Sequence, residues 1–142
     1  MARRVIALMY TGAPVINEEE TALEAITPGH LLELTTTGVK KNADDAANVA
    51  PAFALEREEL GKDIDTAYAV GDYVKVGTFS PGQRVYAFLA SGQNVAKGAY
   101  LTGNTTGELT ATGVAAGIRL ARALESVDNS AGANPRIRVE IV

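Results

Sequence analysis

One histidine, two closely spaced carboxylates and a lysine followed by glycine are all that this chain offers a catalyst. His30 is the only imidazole in 142 residues and cysteine is absent, so any nucleophile–base arrangement must be built around His30. It follows the turn signal Thr27-Pro28-Gly29, where it reads as an exposed or strand-edge side chain. Asp63 and Asp65 share one face of an extended segment, but no third ligand lies at a metal-binding spacing. Asp44-Asp45 and Glu18-Glu19-Glu20 read as solvated charge, and nothing selects a carboxylate pair for glycoside chemistry. A phosphate-cradling GxxxxGK[ST] is missing, and Gly98 with Gly103 does not make GxGxxG. Asn104-Thr105-Thr106 fits a glycosylation sequon and reads as turn chemistry. No catalytic residue, metal ligand set or cofactor is expected.

The remaining pattern is Val95-Ala96-Lys97-Gly98-Ala99-Tyr100-Leu101. It is similar to the V-x-K-G-x-x-L hairpin of biotinyl and lipoyl carrier domains, in which the lysine is commonly flanked by methionines. Here the methionines are Met1 and Met9, so Lys97 reads as an exposed turn residue. A carrier or small-molecule-binding β-barrel stands as the alternative function.

Charge and composition narrow the partners. Thirteen basic against seventeen acidic residues leave a net charge of −4, which disfavours a general grip on nucleic acid. The only adjacent basic pairs are Arg3-Arg4 and Lys40-Lys41, and aromatics are too few for a base-stacking platform. With 46% hydrophobic and 21% charged residues, the chain has the composition of one folded domain without disulfides. Arg3-Arg4 precedes an apolar run over 5–10, but six residues are too few for a signal core or a membrane span. That run reads as a buried strand, and folding in a cytoplasm, away from membrane, is expected.

These residues must be held by short strands. Thr27-Pro28-Gly29 and Ser80-Pro81-Gly82 place proline before glycine as a type II turn requires. Segments 73–79 and 84–89 read as strands joined by the second of these turns. Segment 136–142 alternates cleanly, with Ile137, Val139 and Ile141 on one face and Arg136, Arg138 and Glu140 on the other. Segments 43–60 and 114–127 suit helix by propensity, but Pro51 breaks the first and the second alternates. Strand is favoured for the Ala-Leu-Glu cores, with a short helical turn within 56–60.

The chain also matches itself at a shift of 69 residues. From 26 to 56, eleven of 31 positions are identical, among them Gly29/Gly98, Leu32/Leu101, Gly38/Gly107 and Ala54-Leu55-Glu56/Ala123-Leu124-Glu125. The reading is an internal repeat, 3–56 against 72–125. A half of that size leaves an open apolar face, so two halves should close on one another. The fold expected is all-β: a small β-barrel or β-tulip-like domain of two duplicated halves over 21–142, with 1–20 as an N-terminal arm or edge strand.

Residues 52–142 carry a family likeness. Ala54-Leu55-Glu56, the run Tyr68-Ala69-Val70-Gly71-Asp72-Tyr73-Val74-Lys75-Val76, Ser80-Pro81-Gly82, Gly92-Gln93-Asn94-Val95-Ala96-Lys97-Gly98, Gly107-Glu108-Leu109 and strand 136–142 resemble head decoration (capsid-cementing) proteins of tailed bacteriophages. The resemblance implies a non-enzymatic homotrimer on the outer surface of the virion, bridging major capsid protein subunits, with no nucleic-acid or membrane partner. Strand edges recruit partners, so the candidate capsid- or subunit-binding residues are Arg3, Arg4, Val5, Ile6, Leu8 and Tyr10 with Ile137, Val139 and Ile141.

Overall fold

A computed structural model describes residues 4–8, 13–43, 49–112, 114, 119–133 and 135–142. Arg3 and Tyr10 lie outside the described residues, as do 44–48 and 115–118 of the two ambiguous segments.

The described residues form thirteen short strands and one 3-10 turn. The first six are β1 (Ala7–Leu8), β2 (Val15–Thr21), β3 (Leu32–Leu34), β4 (Val39–Lys41), β5 (Ala52–Ala54) and β6 (Tyr73–Thr78). The others are β7 (Arg84–Phe88), β8 (Gln93–Val95), β9 (Tyr100–Gly103), β10 (Leu109–Thr110), β11 (Ala121–Ala123), β12 (Val127–Asn129) and β13 (Arg136–Ile141). Both Ala-Leu-Glu cores lead out of strands, β5 and β11, and the helical turn is confined to Glu58–Leu60.

A six-stranded sheet runs β1-β7-β13-β11-β9-β10, and a three-stranded one runs β2-β6-β5. The pairs β3-β4 and β8-β12 complete the fold, and all strand pairs are antiparallel. No closed barrel forms among the described residues. The large sheet returns from β10 towards β7 only through one parallel bridge, Leu89 to Leu109.

β13 shows how alternation becomes packing. Ile137, Val139 and Ile141 are buried, opposite Ala87 and Val85 of β7 on one side and Ala123 and Ala121 of β11 on the other. The small alanines leave room for the branched side chains. On the other face Glu140 stands between Arg84 and Arg122, its cross-strand partners, at 3.6 and 3.2 Å.

The turn at Ser80-Pro81-Gly82 makes no hairpin. It closes through Gln83 N–H donating to Ser80 O, and carries the chain from β6 in one sheet to β7 in the other.

Backbone contacts recur along the chain. Gly29 N–H donates to Ala54 O and Ala54 N–H to His30 O; 69 residues on, Gly98 N–H donates to Ala123 O and Ala123 N–H to Ala99 O. In β2-β6-β5 the last strand lies between the other two, and the same holds for β7-β13-β11. Leu55 N–H bonds Lys75 O in β6 as Leu124 N–H bonds Arg138 O in β13, here 63 residues on. By this correspondence β6 matches β13. The alignment of 3–14 with 72–83 instead set β1 against β6, yet β1 is an edge strand and β6 a central one.

The larger apolar core joins Leu31, Phe53, Leu55 and Phe79 from before the Pro81 turn to Val85, Leu101, Ile137 and Val139 after it. A smaller core of Ile26, Leu32, Val39, Tyr68, Val74 and Val76 lies wholly before that turn. Arg136 ties the halves. Its Nη1 lies 2.8 Å from Asp65 Oδ1, and its Nη2 donates to Pro28 O and Ile64 O at 2.9 and 2.6 Å.

Candidate docking surface

The groups that looked chemical are occupied by the fold. His30 stacks on Phe88 at 4.4 Å, and its Nδ1 accepts the Thr27 N–H at 3.1 Å. Burial, helped by the nearby Lys41 charge, lowers its pKa to about 4, so it is neutral near pH 7. Asp63 Oδ1 accepts from Asp65 N–H and the Thr66 hydroxyl, and Asp65 pairs with Arg136. Asn104 Oδ1 accepts the N–H groups of Thr106 and Glu108, closing its own turn. Lys97 is exposed on the turn between β8 and β9. Among the described residues no group of three His, Asp or Glu side chains could hold a metal ion. No helix there is long and apolar enough to cross a membrane.

The proposed binding residues separate into two groups. Ile137, Val139 and Ile141 point into the core, and β13 is paired on both sides, by β7 and β11, so it presents no free edge. An alternating strand need not be a sheet edge, and β13 fills the middle of the large sheet. Ile6 is fully buried (0% exposed), and Leu8 is buried beside it. The Ile6 carbonyl accepts Tyr86 N–H at 2.8 Å, and β1 continues that pairing along β7. Of the described N-terminal residues, Ile6 and Leu8 pack in the core or against it, β1 and β2 are edge strands, and residue 20 lies inside β2. Arg4 and Val5 remain exposed.

β1 and β2 are the edges of their sheets, and a groove of about 500 Å³ lies between them. Val5, Ala7, Leu8, Pro14, Ile16 and Leu55 give it an apolar wall. Ile16 remains 47% exposed and Val5 41%, so apolar surface faces solvent at its mouth. Glu56 lines the groove, with Glu58 and Lys75. Glu56 Oε2 accepts the Ile6 N–H at 3.2 Å, which fastens β1 to the chain leaving β5.

Of this groove, the sequence had offered Val5 and Leu8 as binding residues, and Leu55, Glu56 and Lys75 only within the family likeness. The signal for Ile16 was present in Val15-Ile16, an apolar pair directly preceding an acidic run. Such a pair on a charged strand is more readily explained by a partner than by the core.

No protein-family profile matches the chain, and no curated protein matches its sequence. Its fold is similar to a solved crystal structure, the head fiber gp8.5 N base in bacteriophage phi29. The TM-score is 0.57 at 13% sequence identity, over 90% of this chain and 93% of that one. The likeness is one of fold.

Proposed function

We propose that this chain is a structural component of a tailed-phage head, seated on the outer surface of the capsid. The observation that carries this reading is the likeness to a head fiber base along nearly its whole length, in a chain whose few reactive side chains hold its own turns. In its finer form the chain acts without catalysis as a trimer that bridges major capsid subunits. Three weak contacts on one trimer act at high effective concentration, and binding only to the assembled shell stabilises that shell. We further infer two duplicated halves; the recurrence of the Gly29–Ala54 bonds at Gly98–Ala123 supports this.

The carrier reading is weakened by its own turn. Ala99 N–H donates to Ala96 O around Lys97, as His30 N–H does to Thr27 O around Pro28. The turn thus recurs where no lysine stands, which suits a scaffold element.

Co-sedimentation with mature heads lacking this protein tests the proposal. Saturable binding, with added density on the outer shell, is expected. Absence of binding at tens of micromolar would remove the head-attached reading. Light scattering tests the oligomer separately: three times the monomer mass is expected, and monomer alone would exclude the trimer.

A further inference from the structure

Glu56 is a carboxylate without an ion-pair partner among the described residues. It is only 8% exposed and lines the groove. Glu125, the corresponding residue 69 positions on, shows the completed version. Its Oε1 accepts the Arg138 N–H at 2.9 Å and its Oε2 lies 3.3 Å from Arg138 Nε. Lys75 occupies the place of Arg138 in the first half, yet its Nζ turns to Glu59 at 3.4 Å. A shielded carboxylate without a counter-charge is costly, and a cation supplied from outside removes that cost.

We propose that the groove between β1 and β2 receives an extended segment of the capsid protein, with an arginine or lysine over Glu56 and apolar residues two positions to either side. The inference rests on the head-attached reading above. Side chains of an extended segment alternate, so every second one faces the groove. The central cation meets Glu56, and its apolar neighbours cover Val5, Ile16 and Leu55. Main-chain bonds to the edge of β1, paired only with β7 among the described residues, hold the segment in register. Charge argues against β2 of a second copy as occupant, since its Glu18-Glu19-Glu20 would meet Glu56 and Glu58.

Two measurements test this. The probe for the first is a labelled nine-residue peptide with valine at odd positions, threonine at even ones and arginine at the fifth, read by fluorescence anisotropy. The wild type is expected to bind it about tenfold tighter than the same peptide with glutamate at the fifth position. Glu56→Gln keeps an acceptor for the Ile6 N–H and is expected to abolish most of that preference. Equal affinity for the two peptides overturns the assignment, whatever the heads do. The second measurement is head co-sedimentation with Glu56→Gln and with Ile16→Glu, whose site is already solvent-exposed. Each is expected to weaken binding about tenfold while keeping a single cooperative unfolding transition. Wild-type binding that neither variant alters overturns the groove while leaving head attachment standing. Failure of the wild type to bind defeats head attachment and the capsid segment with it, even if the peptide binds. Loss of self-association in Ile16→Glu, with head binding intact, assigns the groove to a second copy and overturns the proposal as well.

Discussion

His30 and Gly107 show how a single side chain, or its absence, is set by neighbours far along the chain. A histidine held at a pKa of about 4 takes up its proton later than the same residue in the unfolded chain, near 6.5. Between those values the unfolded state binds more protons. The contribution is therefore complete above about pH 6.5 and is lost as pH falls towards 4. Urea unfolding at pH 7 and pH 4.5 should show about 2–3 kcal/mol of lost stability that a His30→Gln variant does not share. Gly107 has φ +75°, and a Cβ there would lie 2.8 Å from Lys41 Cβ and 3.0 Å from Leu31 O. Gly98 has φ +91° with open space around it. Gly107→Ala should cost about 2–4 kcal/mol and Gly98→Ala about 1, because both meet backbone strain and only the first meets a clash. The two denaturation midpoints make the comparison directly.

β1 is two residues long and carries more than its length suggests. It closes one edge of the large sheet, follows directly on Ile6 in the core, and forms one wall of the groove. Truncating Ile6 to alanine should cost about 2–4 kcal/mol by leaving a cavity, while Val5→Ala, at the exposed mouth, should cost under about 1 kcal/mol. Chemical denaturation separates the two. For the same reason, deletion of the N-terminal residues cannot isolate a capsid contact. It removes a core side chain and uncovers β7, so lost head binding after such a deletion would report lost folding. Ile16→Glu, on the opposite wall, is the cleaner probe. Edge position and chain position are unrelated here: the last strand is central, and the groove is walled by two strands near the start.

The parts of the chain before and after the Pro81 turn, the two halves meant here, are not independent units. The larger core takes Phe53, Leu55 and Phe79 from one half and Val85, Ile137 and Val139 from the other. Arg136 reaches back from β13 to Pro28, Ile64 and Asp65. Neither half could keep its apolar face covered alone. Scanning calorimetry should therefore show one transition, with equal van't Hoff and calorimetric enthalpies, rather than two. Two resolved transitions would mean that the shared core contributes less than its burial implies.

Much of this was legible in the amino-acid order. Alternation over 136–142 marks a strand with a buried Ile137-Val139-Ile141 face, and proline–glycine pairs mark turns. These are local properties of a few neighbouring residues. Alternation says which face is buried but not which strands lie alongside. Ile6 meets Tyr86, and Glu56 meets the Ile6 N–H, only because distant segments are brought together in three dimensions. Hence alternation over 136–142 leaves open whether the strand is an edge, and β13 is an inner strand. That Lys75 pairs with Glu59 and not with Glu56 was invisible in the sequence: which carboxylate a lysine reaches depends on the path of the backbone, and here the turn Glu58–Leu60 brings Glu59 to it.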